Sequence, residues 1–233
     1  LSLLGNALPQ IGARFGLSKA GLGDFTGATR FGALPAFFLV PLADRLGRRR
    51  LLLVCVVGMS LGSGLTALSQ SALQFVLFQV LTRTFIVTAS VVTFVVVTEE
   101  FPAENRGWGI GMLGGVSAIG FGAGALVYAF VDSLPFGWRA LYMVGLVPLL
   151  LFPALRRGIV ETKRWNDHSQ GLVASRGVGE AISAAFAPIA ELYRLHPRRA
   201  LALGLLGGLS AAGTGVAFQF ISEFLQTERG WTP

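Results

Sequence analysis

The chain contains 233 residues, of which 53% are apolar and only 13% are charged. A soluble domain carries about 25% charged residues. The shortage of charge, together with 31 glycines, indicates a helical membrane protein that crosses the bilayer several times. The net charge of +7 would suit a nucleic-acid partner, but the positions of the basic residues, given below, argue against that class.

Apolar stretches alternate with polar segments along the whole sequence, and most are near the ~20 residues with which a helix crosses a bilayer. They lie at residues 1–13, 25–42, 51–68, 73–98, 108–131, 140–155 and 200–225. We therefore expect an all-α polytopic membrane protein with seven such helices. The first stretch is short and has no leader before it, so we expect a truncated first helix in a fragment of a longer protein.

Three regions follow from this pattern. Residues 1–155 are expected to form a six-helix bundle, 156–199 a central cytoplasmic loop, and 200–233 a seventh helix with the start of an outer loop. Within the central loop, residues 178–193 have apolar side chains at roughly helical spacing. This favours a short amphipathic helix on the membrane surface or on the bundle, and a solvated linker remains the alternative.

Charge is concentrated at residues 42–53, between the second and third apolar stretches, where Asp44, Arg45, Arg48, Arg49 and Arg50 lie close together. Such a segment is predicted to be a loop in water. Thirteen of the nineteen basic residues lie here or in the loops after the fourth and sixth stretches, which share one side of the membrane. By the positive-inside rule that side is cytoplasmic. We expect a multi-pass protein of the plasma membrane, the cell inner membrane, with no nucleic-acid partner.

The fourth stretch carries a polar stripe. Gln79, Arg83, Ser90 and Thr93 fall on one face of a helix. An arginine facing lipid costs about 2.5–3.5 kcal/mol, so Arg83 is expected to face a water-filled cavity or a polar partner. One interpretation is contact with a solute or a proton pathway, and the other is neutralisation by a neighbouring helix. For Ser90 and Thr93, a hydrogen bond back to the helix carbonyls is the better interpretation.

Two further helices carry readable patterns. In the first, Asn6 and Gln10 lie on one face, either as a cavity wall or as interhelical hydrogen-bonding groups. In the fifth, small residues recur at the spacing with which helix backbones approach closely, which predicts tight packing. These glycines are Gly111, Gly115, Gly120 and Gly124.

Several chemistries are excluded by the residues present. No histidine lies in an apolar stretch, so no Ser/His/Asp set can form there, and we expect no enzyme. No GxxxxGK[ST] segment is present, and no cluster of His, Cys and carboxylates has metal-ligand spacing. We expect no metal and no cofactor. The lysines, Lys19 and Lys163, both lie outside the seventh stretch, which excludes a retinal Schiff base there.

Motifs along the chain together resemble the major facilitator superfamily. LADRLGRRR resembles the signature between its second and third helices, with Leu42, Asp44, Gly47, Arg48 and Arg49 matching and Val40 in place of a glycine. Arg83 fits the family's arginine in the fourth helix. Further matches resemble its metabolite:proton symporter and sugar-porter-like branches: EEFPAENRG at 99–107, GWR at 137–139 and ETKRW at 161–165.

This resemblance implies a transporter of twelve helices in two six-helix halves, with solute bound between them and exposed alternately to each side. The chain would supply the first half, the central loop and helix seven, with the C-terminal half as its missing partner. A small organic acid or sugar-like metabolite, moved by proton symport, is the expected solute. Solute contacts are expected from Arg83, Gln79, Asn6, Gln10 and Ser117. A charge relay that gates the inner side is expected from Asp44, Arg45, Gly47, Arg48, Arg49, Glu99 and Arg106.

Other functions remain open. A drug:proton antiporter of the same fold would carry a glycine-rich pattern with proline in helix five, where Val116 stands instead. A non-transporting membrane receptor or sensor would carry a large domain outside the membrane. No carboxylate lies deep in any apolar stretch, so a proton carrier would have to lie in the first helix before residue 1 or in the second half.

Overall fold

The computed structural model describes residues 4–5, 7–131, 134–172, 187 and 191–230, with side chains outside 168–172, 214–219, 222–223 and 227. Its described elements are α-helices and one 3₁₀ turn, and this part of the chain contains no strand. The predicted all-α class is therefore confirmed. The amphipathic helix predicted at 178–193 falls almost wholly outside the described residues, as does Asn6.

The helices are numbered in chain order. They are α1 Leu8–Phe15, α2 Lys19–Arg30, α3 Ala33–Leu39, α4 Leu42–Leu46, α5 Arg48–Ala67, α6 Ala72–Glu100, α7 Arg106–Ala129, α8 Trp138–Val144, α9 Val147–Leu150, α10 Phe152–Gly158, α11 Lys163–Leu172 and α12 Pro197–Arg229. The end of the bundle at which α5 begins is called the inner end, following the predicted topology, and the opposite end is called the outer end.

Among the described residues, three helical stretches are long and apolar enough to cross a membrane: Arg48–Ala67, Ala72–Glu100 and Ala103–Ala129. A fourth candidate is the pair Trp138–Leu150 and Phe152–Gly158, which is bent by 45°. Prolines lie in the first turns of α9 and α10. Because proline has no N–H to donate, the helix breaks at these points.

The segment 14–24, predicted to be a polar loop, is mostly helical. Helix α1 continues to Phe15 and ends at Gly16, whose φ of 63° is left-handed. Helix α2 begins at once, because the Ser18 side chain accepts a hydrogen bond of 3.1 Å from the Gly21 amide and caps its first turn. A capping serine at this position was the signal that the sequence-based prediction overlooked.

The second predicted span, 25–42, is not one helix but three short ones, α2 to α4. The breaks lie at Phe31–Gly32 and Val40–Pro41. At the first break Gly32 packs so closely on α6 that a Cβ would lie 2.5 Å from the Val80 carbonyl oxygen. The Gly32 carbonyl accepts a 2.8 Å hydrogen bond from the Thr84 hydroxyl. Helix α6 therefore satisfies a carbonyl at the break.

The charged segment 42–53 is also helical rather than a loop. Residues Leu42–Leu46 form α4, and α5 begins at Arg48. The reversal between them is made by Gly47 alone, with φ of 91°, a conformation that favours glycine. Arg48, Arg49 and Arg50 therefore lie in the first turn of α5, and Arg45 lies in the last turn of α4.

The packed core lies around α1, α6 and α8. Phe75 is fully buried and makes edge contacts with Trp138 and Tyr142, at ring-centroid distances of 5.8 and 5.6 Å. Phe15 and Phe25 complete this aromatic cluster. It joins the outer ends of the helices, where the favourable edge-to-face geometry adds to the burial of apolar area.

Close packing at paired glycines occurs on α5 and not at the predicted glycines of α7. A Cβ at Gly58 would collide with the ring of Phe85, and one at Gly62 would collide with Thr82. Around Gly111, Gly115 and Gly120 a Cβ would meet nothing within 4 Å. In the described residues the tight packing predicted for the fifth helix is absent, and the same spacing, Gly58 to Gly62, provides it between α5 and α6.

Candidate functional site

A cavity of about 210 Å³ lies within the bundle, where α5, α6 and α8 approach α2 and the residues before α1. Helix α6 lines it with Gln79, Thr82, Arg83 and Ile86. Other helices contribute Thr29, Ser60, Ser63 and Tyr142. Polar groups therefore converge on this cavity from four helices.

Three polar atoms on this cavity have no hydrogen-bond partner. Among the described residues, the buried side-chain atoms without one are the Ser60 Oγ, the Arg83 Nε and the Tyr142 hydroxyl. All three residues line the same cavity. Ser60 and Tyr142 are only 1% and 3% exposed. Because buried polar groups are nearly always paired, three unpaired atoms around one cavity indicate a place for a polar ligand or water.

The remaining polar groups of the cavity are satisfied by the protein. The Gln79 amide donates to the Thr66 hydroxyl at 3.1 Å, and the Ser63 hydroxyl donates to the Tyr142 carbonyl at 2.8 Å. The Thr82 hydroxyl donates to the Phe78 carbonyl at 2.7 Å. These bonds hold the cavity wall in place, and the three unpaired atoms belong to residues of the same wall.

The polar stripe predicted on α6 divides into two parts. Gln79 and Arg83 line the cavity, together with Ile86. Further along the helix, Ser90 and Thr93 donate to the Ile86 and Ala89 carbonyls at 2.9 and 2.8 Å. The bond back to the helix, preferred for these two hydroxyls from the sequence, is what the structure has.

Two other predicted solute contacts lie elsewhere. The Gln10 amide is bonded to the Tyr128 hydroxyl at 3.1 Å, on the outer side of α1. Ser117 lies on the exposed face of α7 and donates to the Leu113 carbonyl at 2.8 Å. Neither lines the cavity. Sequence reasoning missed Ser60 and Tyr142, although Ser63 lies three residues after Ser60, on the same face of α5, and was an available signal.

At the inner end, Arg48 and Glu99 form a buried ion pair. The Arg48 Nε and Nη2 atoms donate to the two Glu99 oxygens at 3.1 and 2.9 Å, and both side chains are 10% exposed. Arg48 also contacts the exposed carboxylate of Asp44 at 2.8 Å and donates to the Ala43 carbonyl at 3.2 Å. The bidentate geometry is the strong form of an arginine–carboxylate contact. The Arg48–Glu99 pair therefore fixes the start of α5 on the end of α6.

Glu161 caps helix α5 from far along the chain. Its carboxylate accepts hydrogen bonds from the backbone amides of Arg48 at 2.9 Å and Arg49 at 3.2 Å. A negative charge at a helix N-terminus is favourable because the first amides have no partner within the helix. A Cβ at Gly47 would collide with this carboxylate, so glycine is needed there for space as well as for its φ.

Further hydrogen bonds hold the segment after α10 against the inner end of the bundle. Together with the contacts of Arg48 and Glu161 they form what we call the inner clamp. The Arg49 guanidinium donates to the Ile159 and Arg156 carbonyls at 2.7 and 2.6 Å, at the end of α10. The Trp165 indole N–H donates to the Asp44 carbonyl at 3.0 Å. The Glu100 carboxylate accepts from the Lys163 amide at 2.9 Å at the start of α11. The segment 159–165, which follows α10, is therefore held against α4, α5 and α6.

Only some of the residues predicted to form the charge relay lie together in the structure. Asp44, Gly47, Arg48, Arg49 and Glu99 lie together. Arg106 is exposed and donates to the Phe101 carbonyl at 3.4 Å, away from this group, and Arg45 lies half-buried at the end of α4. Glu161, quoted only as part of a motif, is the member that the prediction missed, and the glutamate of ETKRW was its signal.

The whole chain, residues 1–233, matches the family model described as Major Facilitator Superfamily. The chain is 29% identical over 217 residues to the gallate transporter of Pseudomonas putida, covering 92% of this chain and 43% of that protein. It is 30% identical over 166 residues to myo-inositol transporter 3A of Cryptococcus neoformans, covering 70% of this chain and 28% of the relative. Both of these relatives are transporters by name.

The fold matches solved structures of a xylose transporter from E. coli. The inward-open form superposes with a TM-score of 0.66 at 18% identity, covering 97% of this chain and 61% of that one. The form bound to 6-bromo-6-deoxy-D-glucose gives 0.64 at 20% identity, with 87% and 53% covered. The chain thus spans less than two thirds of each of these proteins. As an integral membrane protein with these matches, the chain belongs to the Major Facilitator Superfamily.

Proposed function

We propose that the chain is the first half and seventh helix of a secondary active transporter of the plasma membrane. The transporter moves a small organic solute by alternating access and proton symport. The observation that carries this proposal is the cavity on which the unpaired Ser60, Arg83 and Tyr142 atoms converge. Its volume of about 210 Å³ is well above the roughly 10–15 Å³ that one water needs.

The chemistry of the cavity favours an acidic or hydroxylated solute. A guanidinium inside the membrane attracts a carboxylate, and two hydroxyls can both donate to and accept from solute hydroxyls. Gallate and myo-inositol, the solutes in the names of two relatives, each carry several hydroxyl groups. A hydroxylated organic acid or a sugar-like metabolite fits best. A drug:proton antiporter for lipophilic cations fits less well, because Arg83 would repel its solute.

Proton coupling is supported by one of the matched structures, which is that of a proton:xylose symporter. No carboxylate lines the cavity in the described part of the chain. The group that carries the proton would be supplied by a part of the protein beyond these residues. Uptake by proteoliposomes with and without a pH gradient tests this point.

Tyr142→Phe tests the cavity directly. The complete protein is reconstituted in proteoliposomes and its uptake of a panel of hydroxylated acids and polyols is measured. The change is expected to raise the KM for the transported solute about 5- to 10-fold, since one net hydrogen bond contributes about 1 kcal/mol. Tyr193→Phe, which removes a hydroxyl from an exposed tyrosine outside the cavity, is the matched control. Equal KM values in the two variants would remove Tyr142 from the solute site, and absence of uptake of every solute would refute the transport proposal.

We also propose that the inner clamp biases the balance between the inward- and outward-facing states of the transporter. Asp44 is its exposed member, with a side chain that is 75% exposed. Asp44→Asn is expected to change stability by less than about 1 kcal/mol, because exposed ion pairs contribute little, and to shift the accessibility of an inner-end cysteine to a thiol reagent. Unchanged labelling would leave the segment a topological anchor only.

A further inference from the structure

The outer ends of three helices meet at one hydroxyl group. The Tyr128 hydroxyl, near the end of α7, accepts a hydrogen bond of 2.7 Å from the Gln226 amide of α12. It also contacts the Gln10 side chain of α1, 3.1 Å from Nε2 and 3.4 Å from Oε1. Tyr128 is 8% exposed. One buried hydroxyl therefore connects α7 to two helices that are distant in sequence. Gln10 lies 118 positions before Tyr128, and Gln226 lies 98 positions after it.

A second contact lies beside it. Lys19, at the start of α2, forms an ion pair of 2.8 Å with Glu228, in the last turn of α12. The hydrogen bond and the charge of Lys19 hold the pKa of the Glu228 carboxyl below its usual range. Phe220 of α12 packs against the aromatic core cluster that contains Phe75.

The contacts that α12 makes with Tyr128, Lys19 and the hydrophobic core all lie toward its outer end. Its side chains from 201 to 213 are exposed, whereas Phe220, Gln226 and Glu228 contact the bundle. In a protein of two six-helix halves, α12 is the first helix of the second half. These contacts therefore join one half to the other at the outer end.

We propose that Tyr128 is the centre of an outer latch, formed by Gln10, Tyr128, Gln226 and the Lys19–Glu228 pair, that holds the outer side closed and separates when that side opens. The latch rests on the proposed transport function for its cycle but not for its geometry. When α12 moves away, the Gln226 amide loses its bond to the buried Tyr128 hydroxyl and the Lys19–Glu228 pair separates, whereas the Gln10 contact within the first half stays and positions Tyr128. The latch therefore favours the closed state by differential contact.

The test uses the complete protein with its native cysteines replaced, including Cys55. Spin labels on cysteines introduced at Ala20 and Arg229, both exposed and adjacent to the ion pair, report the separation of α2 and α12 in proteoliposomes by double electron–electron resonance. Tyr128→Phe is expected to increase the long-distance population about 5-fold. Gln226→Leu is expected to do the same, and the exchange Lys19→Glu with Glu228→Lys is expected to retain the parental distances.

The control and the contrary outcomes are defined by the same experiment. Tyr193→Phe removes a hydroxyl near the inner end and is expected to leave the distances unchanged. Equal distance distributions in Tyr128→Phe, Gln226→Leu and the parent would overturn the latch, even if uptake is normal. A shift in these variants with no uptake of any solute by the parent supports the latch and refutes the transport proposal, so the two failures are distinguishable.

Discussion

Arg83→Ala is expected to reduce solute uptake about 10- to 150-fold while leaving membrane insertion intact. A charge-assisted hydrogen bond contributes roughly 1.5–3 kcal/mol, and the alanine variant loses both the charge and the unpaired Nε donor of a residue that lines the cavity. The measurement is initial uptake in proteoliposomes, with protein amount and monodispersity determined by size-exclusion chromatography. Arg83→Lys, which retains the charge without the fork of donors, is expected to be intermediate.

The matched control lies on the same helix. Ser90 is exposed, and its hydroxyl is bonded to the Ile86 carbonyl of its own helix. Ser90→Ala is therefore expected to transport like the parent, because it changes a polar residue of α6 outside the cavity. Normal uptake by Arg83→Ala would contradict the assignment of the cavity to the solute, and equal loss in Ser90→Ala would indicate damage to the helix itself.

Arg48→Ala is expected to cause the largest loss of stability. The change leaves the carboxylate of Glu99, which is 10% exposed, without its two-pronged partner. Removing one member of a buried ion pair costs about 3–5 kcal/mol, because the remaining charge is neither solvated nor paired. The measurement is denaturant unfolding of the complete protein in detergent, compared with the parent and with Glu99→Ala.

A double variant separates the pair from its surroundings. Arg48→Ala with Glu99→Ala is expected to be less destabilised than the sum of the single variants, since neither charge is then left alone. Arg45→Ala is the control, as this neighbouring arginine lies half-buried outside the pair. If Arg48→Ala lost no more stability than Arg45→Ala, the contact would be a surface pair of little value.

The sequence predicted the features that are local or repeat with helical spacing. The positions of Gln79 and Arg83 on one face followed from a period of 3.6 residues, and the inner location of Arg48 followed from the distribution of basic residues. The same reasoning predicted loops at 14–24 and at 42–53, because charge there outweighed the capping signals of Ser18 and Gly47. Helix signals of one or two residues are weak against a run of charges.

The remaining features depend on which helix packs against which. Ser60 and Tyr142 meet Arg83 only because α5, α6 and α8 pack together, and a single sequence does not show which helices are neighbours. Gly111 and Gly115 of α7 have the same spacing as Gly58 and Gly62 of α5, yet of these only the α5 glycines face another helix among the described residues. Spacing alone does not say what lies opposite.

The cap on helix α5 has a consequence for biosynthesis. Glu161 lies 113 positions after the Arg48 amide that it accepts from. At about 5–20 residues per second, a ribosome reaches it roughly 6–23 seconds after Arg48 has been made. During that interval the third membrane helix starts with its first amides uncapped by this carboxylate. The contacts of Glu161 with α5 can therefore form only after α10 has been synthesised, which makes them a late step in the assembly of this part of the chain.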